Sequence, residues 1–215
     1  PFDSHRKKVD PLGEQFVNLI FGSIGKAPEA LALAAPDTPA SRYAAFFGAM
    51  AAVDSANGFE ATTTSTVSSD GSIVKSCSDG TCVEFEDFQV TDGLITSFTH
   101  QGVAIDDRLG GAGAVVTAGS ITAQVLRSYW SPFSDSLMLV LEITSADAVT
   151  IDWEPTYTAP DGTEQSALFG SALGPELAAG ETQQQYVGVG GAELGGTLTI
   201  TVTDAAGAAV PLTLD

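Results

Sequence analysis

Along the first third of the chain, apolar residues recur with a helical period. In the stretch PLGEQFVNLIFGSIG, Leu12, Phe16, Leu19, Ile20 and Ile24 fall at i, i+4, i+7, i+8 and i+12, which places them on one helix face. Pro11 suits the first turn and Gly25 the stop. APEALALAA reads as a short second helix ended by Pro36 and Pro39. PASRYAAFFGAMAAVDSANG reads as a third, with Tyr43, Phe46, Phe47, Met50 and Val53 on one face and Asn57-Gly58 as its C-cap.

From Phe59 the period changes to two. Asp70-Gly71, Asp79-Gly80, Asp92-Gly93 and Gln101-Gly102 are turn signals, and β-branched and aromatic runs lie between them. The pattern predicts a meander of four or five antiparallel strands. Three helices on one face of that sheet make an α+β domain. The glycine-rich DDRLGGAGA (106–114) is a break. Beyond it come short strands, AVVTAGSITAQVLRSYW, DSLMLVLEITSA, AVTIDWEPTYTA, EQSALFG, QQQYVGVGG, GTLTITVTDA and AVPLTLD, which argue for a β-sandwich. The expected organisation is a tether or disordered N-terminus over 1–10, an α+β domain over 11–108 with N-terminal helices packed on a bent antiparallel meander, and an all-β sandwich over 109–215.

The only two cysteines lie in KSCSDGTCVEF. A two-residue turn at Asp79-Gly80 sets Cys77 opposite Cys82, Lys75 opposite Glu84 and Val74 opposite Phe85. One face then carries the cysteines and the Lys75–Glu84 pair, and the other turns Val74, Val83 and Phe85 toward the helices. Directly opposed residues are within disulfide reach. A thioredoxin-type motif has two intervening residues rather than four. A zinc site lacks further ligands, because only His5 and His100 remain. The expectation is a Cys77–Cys82 disulfide and an extracytoplasmic location, secreted or anchored to the cell envelope.

Charge narrows the partners. With 27 acidic and 8 basic residues the net charge is -19, which repels nucleic acid. An anionic membrane is repelled too, except at the basic HRKK stretch. No apolar run is long enough to span a bilayer. Membrane attachment is therefore expected only through a signal, lipid anchor or helix upstream of Pro1.

Chemistry-bearing patterns are sparse. FGSIG and FGSALG lack the G-x-S-x-G spacing of a nucleophile elbow. LGGAGAVVTAG lacks the lysine of a phosphate loop. His100, in FTHQGV, is read as an exposed turn histidine, with a catalytic base as the rival reading. Glu84, Glu86, Asp87, Asp106, Asp107, Asp152 and Glu154 are read as solvated rather than calcium-binding. Trp130 and Trp153 are assigned to the sandwich core or edge, with a sugar-stacking platform as the alternative. No cofactor and no metal is expected. Residues 109–215 contain neither Lys nor Asn, so a Lys–Asn isopeptide cross-link cannot form there.

RYAAFFGAMAAVDSANG followed by FEDFQVTDGLITSFTHQGVAIDDRL resembles NTF2-like (cystatin-like, cone-shaped) domains of secreted actinobacterial proteins. LMLVLEITSADAVTIDWEPTYTAPDGTEQ followed by LAAGETQQQYVGVGG resembles immunoglobulin-like or telokin-like domains of secreted lipoproteins. The antibody-type Cys…Trp…Cys core is missing. Enzymes of the first family place an acid, Tyr or His inside the cone, and here only Tyr43, Asp54 and His100 qualify.

These observations lead to an expected function as a non-enzymatic, envelope-associated binding or scaffold protein whose partner is an envelope protein. The alternative is a carrier of a small apolar ligand or lipid in a cavity lined by Tyr43, Phe46, Phe47, Met50, Phe85 and Phe98. A third reading is an NTF2-like isomerase or hydrolase.

Overall fold

The computed structural model describes residues 11–59, 63–68, 71–78, 80–166, 169–170, 175–204 and 206–215. The tether expected over 1–10 and the turn residue Asp79 lie outside them. The chain divides between Leu109 and Gly110 into two units.

The first unit opens with helix α1 (Pro11–Phe21), which buries Gly13, Phe16, Val17 and Ile20. A Cβ on Gly13 would come within 2.9 Å of the Phe88 ring, so the glycine is what lets α1 approach the sheet. The expected second helix is a 3-10 helix over Ile24–Leu33. Pro28 lies inside it and cannot donate the backbone bond of an α-turn. It ends in a parallel bridge from Ala34 to Ile95, where Ala35 N–H donates to Ile95 C=O at 2.8 Å. Helix α2 (Pro39–Ala56) starts with a reciprocal cap between Thr38 and Ser41, has Pro39 in its first turn and ends at Asn57. Gly58 follows at φ 74°.

Five strands follow in chain order: β1 (Thr64–Val67), β2 (Ile73–Ser78), β3 (Thr81–Thr91), β4 (Leu94–His100) and β5 (Val103–Ala104), forming an antiparallel meander. Asp92-Gly93 and Gln101-Gly102 both sit at positive φ, the conformation of tight hairpin turns. The β2–β3 register pairs Cys77 with Cys82, Lys75 with Glu84 and Val74 with Phe85, as the sequence predicts. Two irregularities interrupt β3–β4, between Glu86 and Gln89 and between Gln89 and Val90. Asp87, at φ 54°, marks the first. A bulge reverses the inward–outward alternation, so Phe85 and Phe88 both face the core although they are three residues apart. A short 3-10 turn (Asp106–Arg108) closes the unit.

Two further antiparallel sheets form the second unit. One is ordered β11 (Glu164–Ser166), β10 (Val149–Thr158), β15 (Thr197–Thr203), β16 (Ala209–Leu214), with β13 (Glu176–Leu177) also on β10. The other runs β12 (Phe169–Gly170), β14 (Thr182–Gly190), β9 (Ser136–Ser145), β8 (Ile121–Ser131), with β7 (Val116–Ala118) on β8 and the two-residue β6 (Leu109–Gly110) at the junction. Their inner faces share one core, with Leu139, Leu141 and Val187 from one sheet against Ile151, Ile200 and Leu212 from the other. The unit is thus sandwich-like. AVVTAGSITAQVLRSYW is a hairpin rather than one strand, folded at Gly119 (φ 62°). EQSALFG likewise divides between the two sheets. Tyr157 pins the β14–β15 connection: its hydroxyl donates to Glu193 C=O and accepts from Gly196 N–H. Residue 196 must be glycine, because a Cβ there would lie 2.6 Å from that hydroxyl and 2.3 Å from Thr158 C=O.

Candidate functional site

Aromatic rings from four elements meet in the first unit. Phe98 of β4 lies 5.6 Å from Phe16 of α1, 5.0 Å from Tyr43 of α2, and 6.0 and 5.3 Å from Phe85 and Phe88 of β3. None of the five is more than 5% exposed. Edge-to-face and offset pairs at these separations add to the burial of the rings themselves. Phe46 is also fully buried and meets Phe47 edge-on at 5.2 Å.

His100 belongs to this packing. The sequence suggests an exposed turn residue, but His100 is the last residue of β4 and only 2% exposed. Its ring stacks on Phe85 at 4.8 Å, and its Nδ1 lies 3.5 Å from the Tyr43 hydroxyl. Burial, and then the charge of Arg108, lower its pKa from 6.5 to about 4. It is therefore neutral near pH 7 and a weak base there.

Open space lies beside the rings. α1 ends at Phe21, whose carbonyl accepts the Thr63 hydroxyl and whose ring packs on Phe47 at 4.9 Å and on Phe85 at 5.4 Å. Where α1 stops, Ile20, Phe21, Phe47, Met50, Ala51, Asp54 and Thr63 surround a recess of about 190 Å³. Its walls are apolar except for Thr63 and the half-buried Asp54. A void of about 150 Å³ holds a benzene ring, whereas pockets for drug-sized ligands run from about 300 to 1,000 Å³. The recess has room for one ring or one branched aliphatic group. A shallower depression of about 320 Å³ over α1 is lined by Glu14, Gln15, Asn18 and Lys26 among others.

Of the six residues assigned to a cavity, Phe47 and Met50 line the recess, while Tyr43, Phe46, Phe85 and Phe98 pack against other rings. Of the three polar candidates, Tyr43 and His100 meet in the core and Asp54 stands apart from them at the recess. Ile20, Phe21 and Thr63 complete the recess. Phe21 is off the periodic stripe of α1, and its only sequence signal is its place just before Gly22.

The Cys77–Cys82 disulfide is formed, with Cα atoms 4.1 Å apart, and Lys75 pairs with Glu84 beside it. The bond fits an oxidising, extracytoplasmic setting. Among the described residues no three His, Cys, Asp or Glu side chains form a group that could hold a metal, and no helix is long and apolar enough to cross a membrane. Glu84 is engaged by Lys75, and Asp106 accepts from the Ser97 hydroxyl at 2.6 Å. Trp130 is half-buried in β8; the side chains of Trp153 and Glu154 lie outside the described residues. No protein-family model matches the chain, and no curated protein matches it.

Proposed function

We propose that this protein is a non-enzymatic binding module of the cell envelope, working outside the cytoplasm, and that its first unit grips one apolar group of an envelope protein. The observation that carries the reading is the recess at the end of α1, with its apolar walls and a single carboxylate. Its volume of about 190 Å³ favours a single protein side chain over a lipid carrier's cargo, because pockets for larger ligands run from about 300 to 1,000 Å³. The buried, neutral His100 and the ring stack around it act as packing in this reading. The NTF2-like and immunoglobulin-like resemblances supply its scaffold: helices over a bent meander, followed by a sandwich.

Photo-crosslinking from position 47 in an envelope fraction tests this. The reading expects a discrete adduct with a protein, lost when Met50→Glu places a second carboxylate in the recess. A lipid-mass adduct in native mass spectrometry, removable by mild activation, would support the carrier instead.

A further inference from the structure

The recess does not stand alone. Thr63, which lines it, is the residue immediately before β1, and β1 is the terminal strand of its sheet. The hydrogen-bonding alternation of β1 follows from two observations. Ser68 N–H donates to Ile73 C=O at 2.9 Å, so Ser68 faces β2. The short 4.1 Å Cα separation of Cys77 and Cys82 marks a pair that does not exchange backbone bonds, so Cys77 turns its own toward Thr64. Thr64, Thr66 and Ser68 therefore bond to β2, and Ser65 and Val67 direct N–H and C=O away from the sheet. Among the described residues nothing pairs with those groups.

The side chains tell the same story. Ser65 and Val67 lie on the same face as Thr63, Ser76 and Val74, the face turned to the helices. Val67 is nevertheless 37% exposed. Among the described residues the buried Ser65 hydroxyl has no hydrogen-bond partner, which is uncommon for a buried polar atom. β1 contains no proline or charge of the kind that guards exposed edges.

We infer that β1 accepts an extended peptide segment of a partner protein as an added strand, and that this peptide is basic and sets a bulky apolar side chain in the recess. The inference rests on the proposed role of the recess. Strand addition supplies affinity through backbone bonds to Ser65 and Val67 and selectivity through pockets for alternate side chains. Inward side chains of an added strand, about 4.8 Å beyond β1, continue the face of Thr63, Ser65 and Val67. Charge selects the occupant. Asp54 stands at the recess and the chain carries a net charge of -19, which favours a basic segment and opposes pairing with a second copy.

The test titrates the full chain with the synthetic peptide KTVTFTVTK and follows backbone amide exchange. Binding should protect the Ser65 and Val67 amides. Val67→Pro, which removes the outward N–H together with the valine side chain, should weaken binding about tenfold or more, whereas Val67→Ala, which keeps the N–H, should not. Exchanging the peptide lysines for glutamates should weaken it at least as much. Binding that Met50→Glu abolishes, but with the two amides unprotected and Val67→Pro silent, overturns strand addition and leaves the recess as a binding site. Binding that Val67→Pro abolishes and Met50→Glu does not overturns the role of the recess. Absence of binding at about 1 mM peptide, or a concentration-dependent dimer that protects the same amides, overturns the inference altogether.

Discussion

The two units solve the same problem, burying one face of a sheet, with different parts. The first uses a few large rings from helices and sheet around Phe98. The second uses many branched aliphatic side chains from two facing sheets. Where α1 stops at Phe21 the large rings leave a recess, close to a strand edge that nothing pairs with among the described residues. In the second unit, branched side chains alternate inward along β9, β14 and β15, and the one deeply buried tyrosine of its core cluster uses its hydroxyl to tie down a loop. Charge divides the units too. From Gly110 onward Arg127 is the only basic residue among twelve acidic ones. All histidine and both cysteines belong to the first unit.

The largest expected effect breaks the ring stack. Phe98→Ala removes the ring shared by four others and should cost about 3–5 kcal/mol. Amide exchange should locate the loss in residues 11–109; an equal loss beyond Gly110 would contradict the division.

Acid should separate the units next. Above about pH 6.5 His100 is neutral whether the chain is folded or not. As the pH falls from 6.5 to about 4, the unfolded chain binds a proton that the folded chain excludes, so the first unit loses stability through that window. The full loss is roughly 3 kcal/mol. His100→Gln should flatten the decline in a pH series of denaturant melts, and the second unit has no histidine to share it.

Replacing both Cys77 and Cys82 by serine should cost about 2 kcal/mol, because the loop they close is short. Reductant should reproduce that loss in the wild-type chain and add nothing to the variant. Tyr157→Phe strips a partner from Glu193 C=O and Gly196 N–H and should cost about 1–2 kcal/mol, confined to the second unit. Hydrogen exchange around residues 193–196 reports it.

Much of this fold was legible in residue order. The meander, its glycine turns and the cross-strand register of Cys77, Lys75 and Val74 follow from period-two alternation and turn chemistry. What failed to show were departures from period. Asp87 in a left-handed conformation turns Phe88 inward, and strict alternation would have turned it out. Pro28 converts an apparent α-helix into a 3-10 helix. His100 looks exposed because a turn follows it, yet its strand position carries it inward beside Phe85. For the site, Phe47 and Met50 were visible as part of an apolar helix face. Phe21 and Thr63 were not, since the recess exists only where α1 ends near the start of β1. The outer edge of β1 was equally hidden, because it depends on the order of strands in the sheet.

The most direct measurement is amide hydrogen exchange across the full chain, with and without the envelope fraction. New protection is expected at residues 47–54 and 63–68, lost in Met50→Glu, with residues 110–215 unchanged. Protection confined to 110–215 would contradict that expectation and move the binding surface to the sandwich.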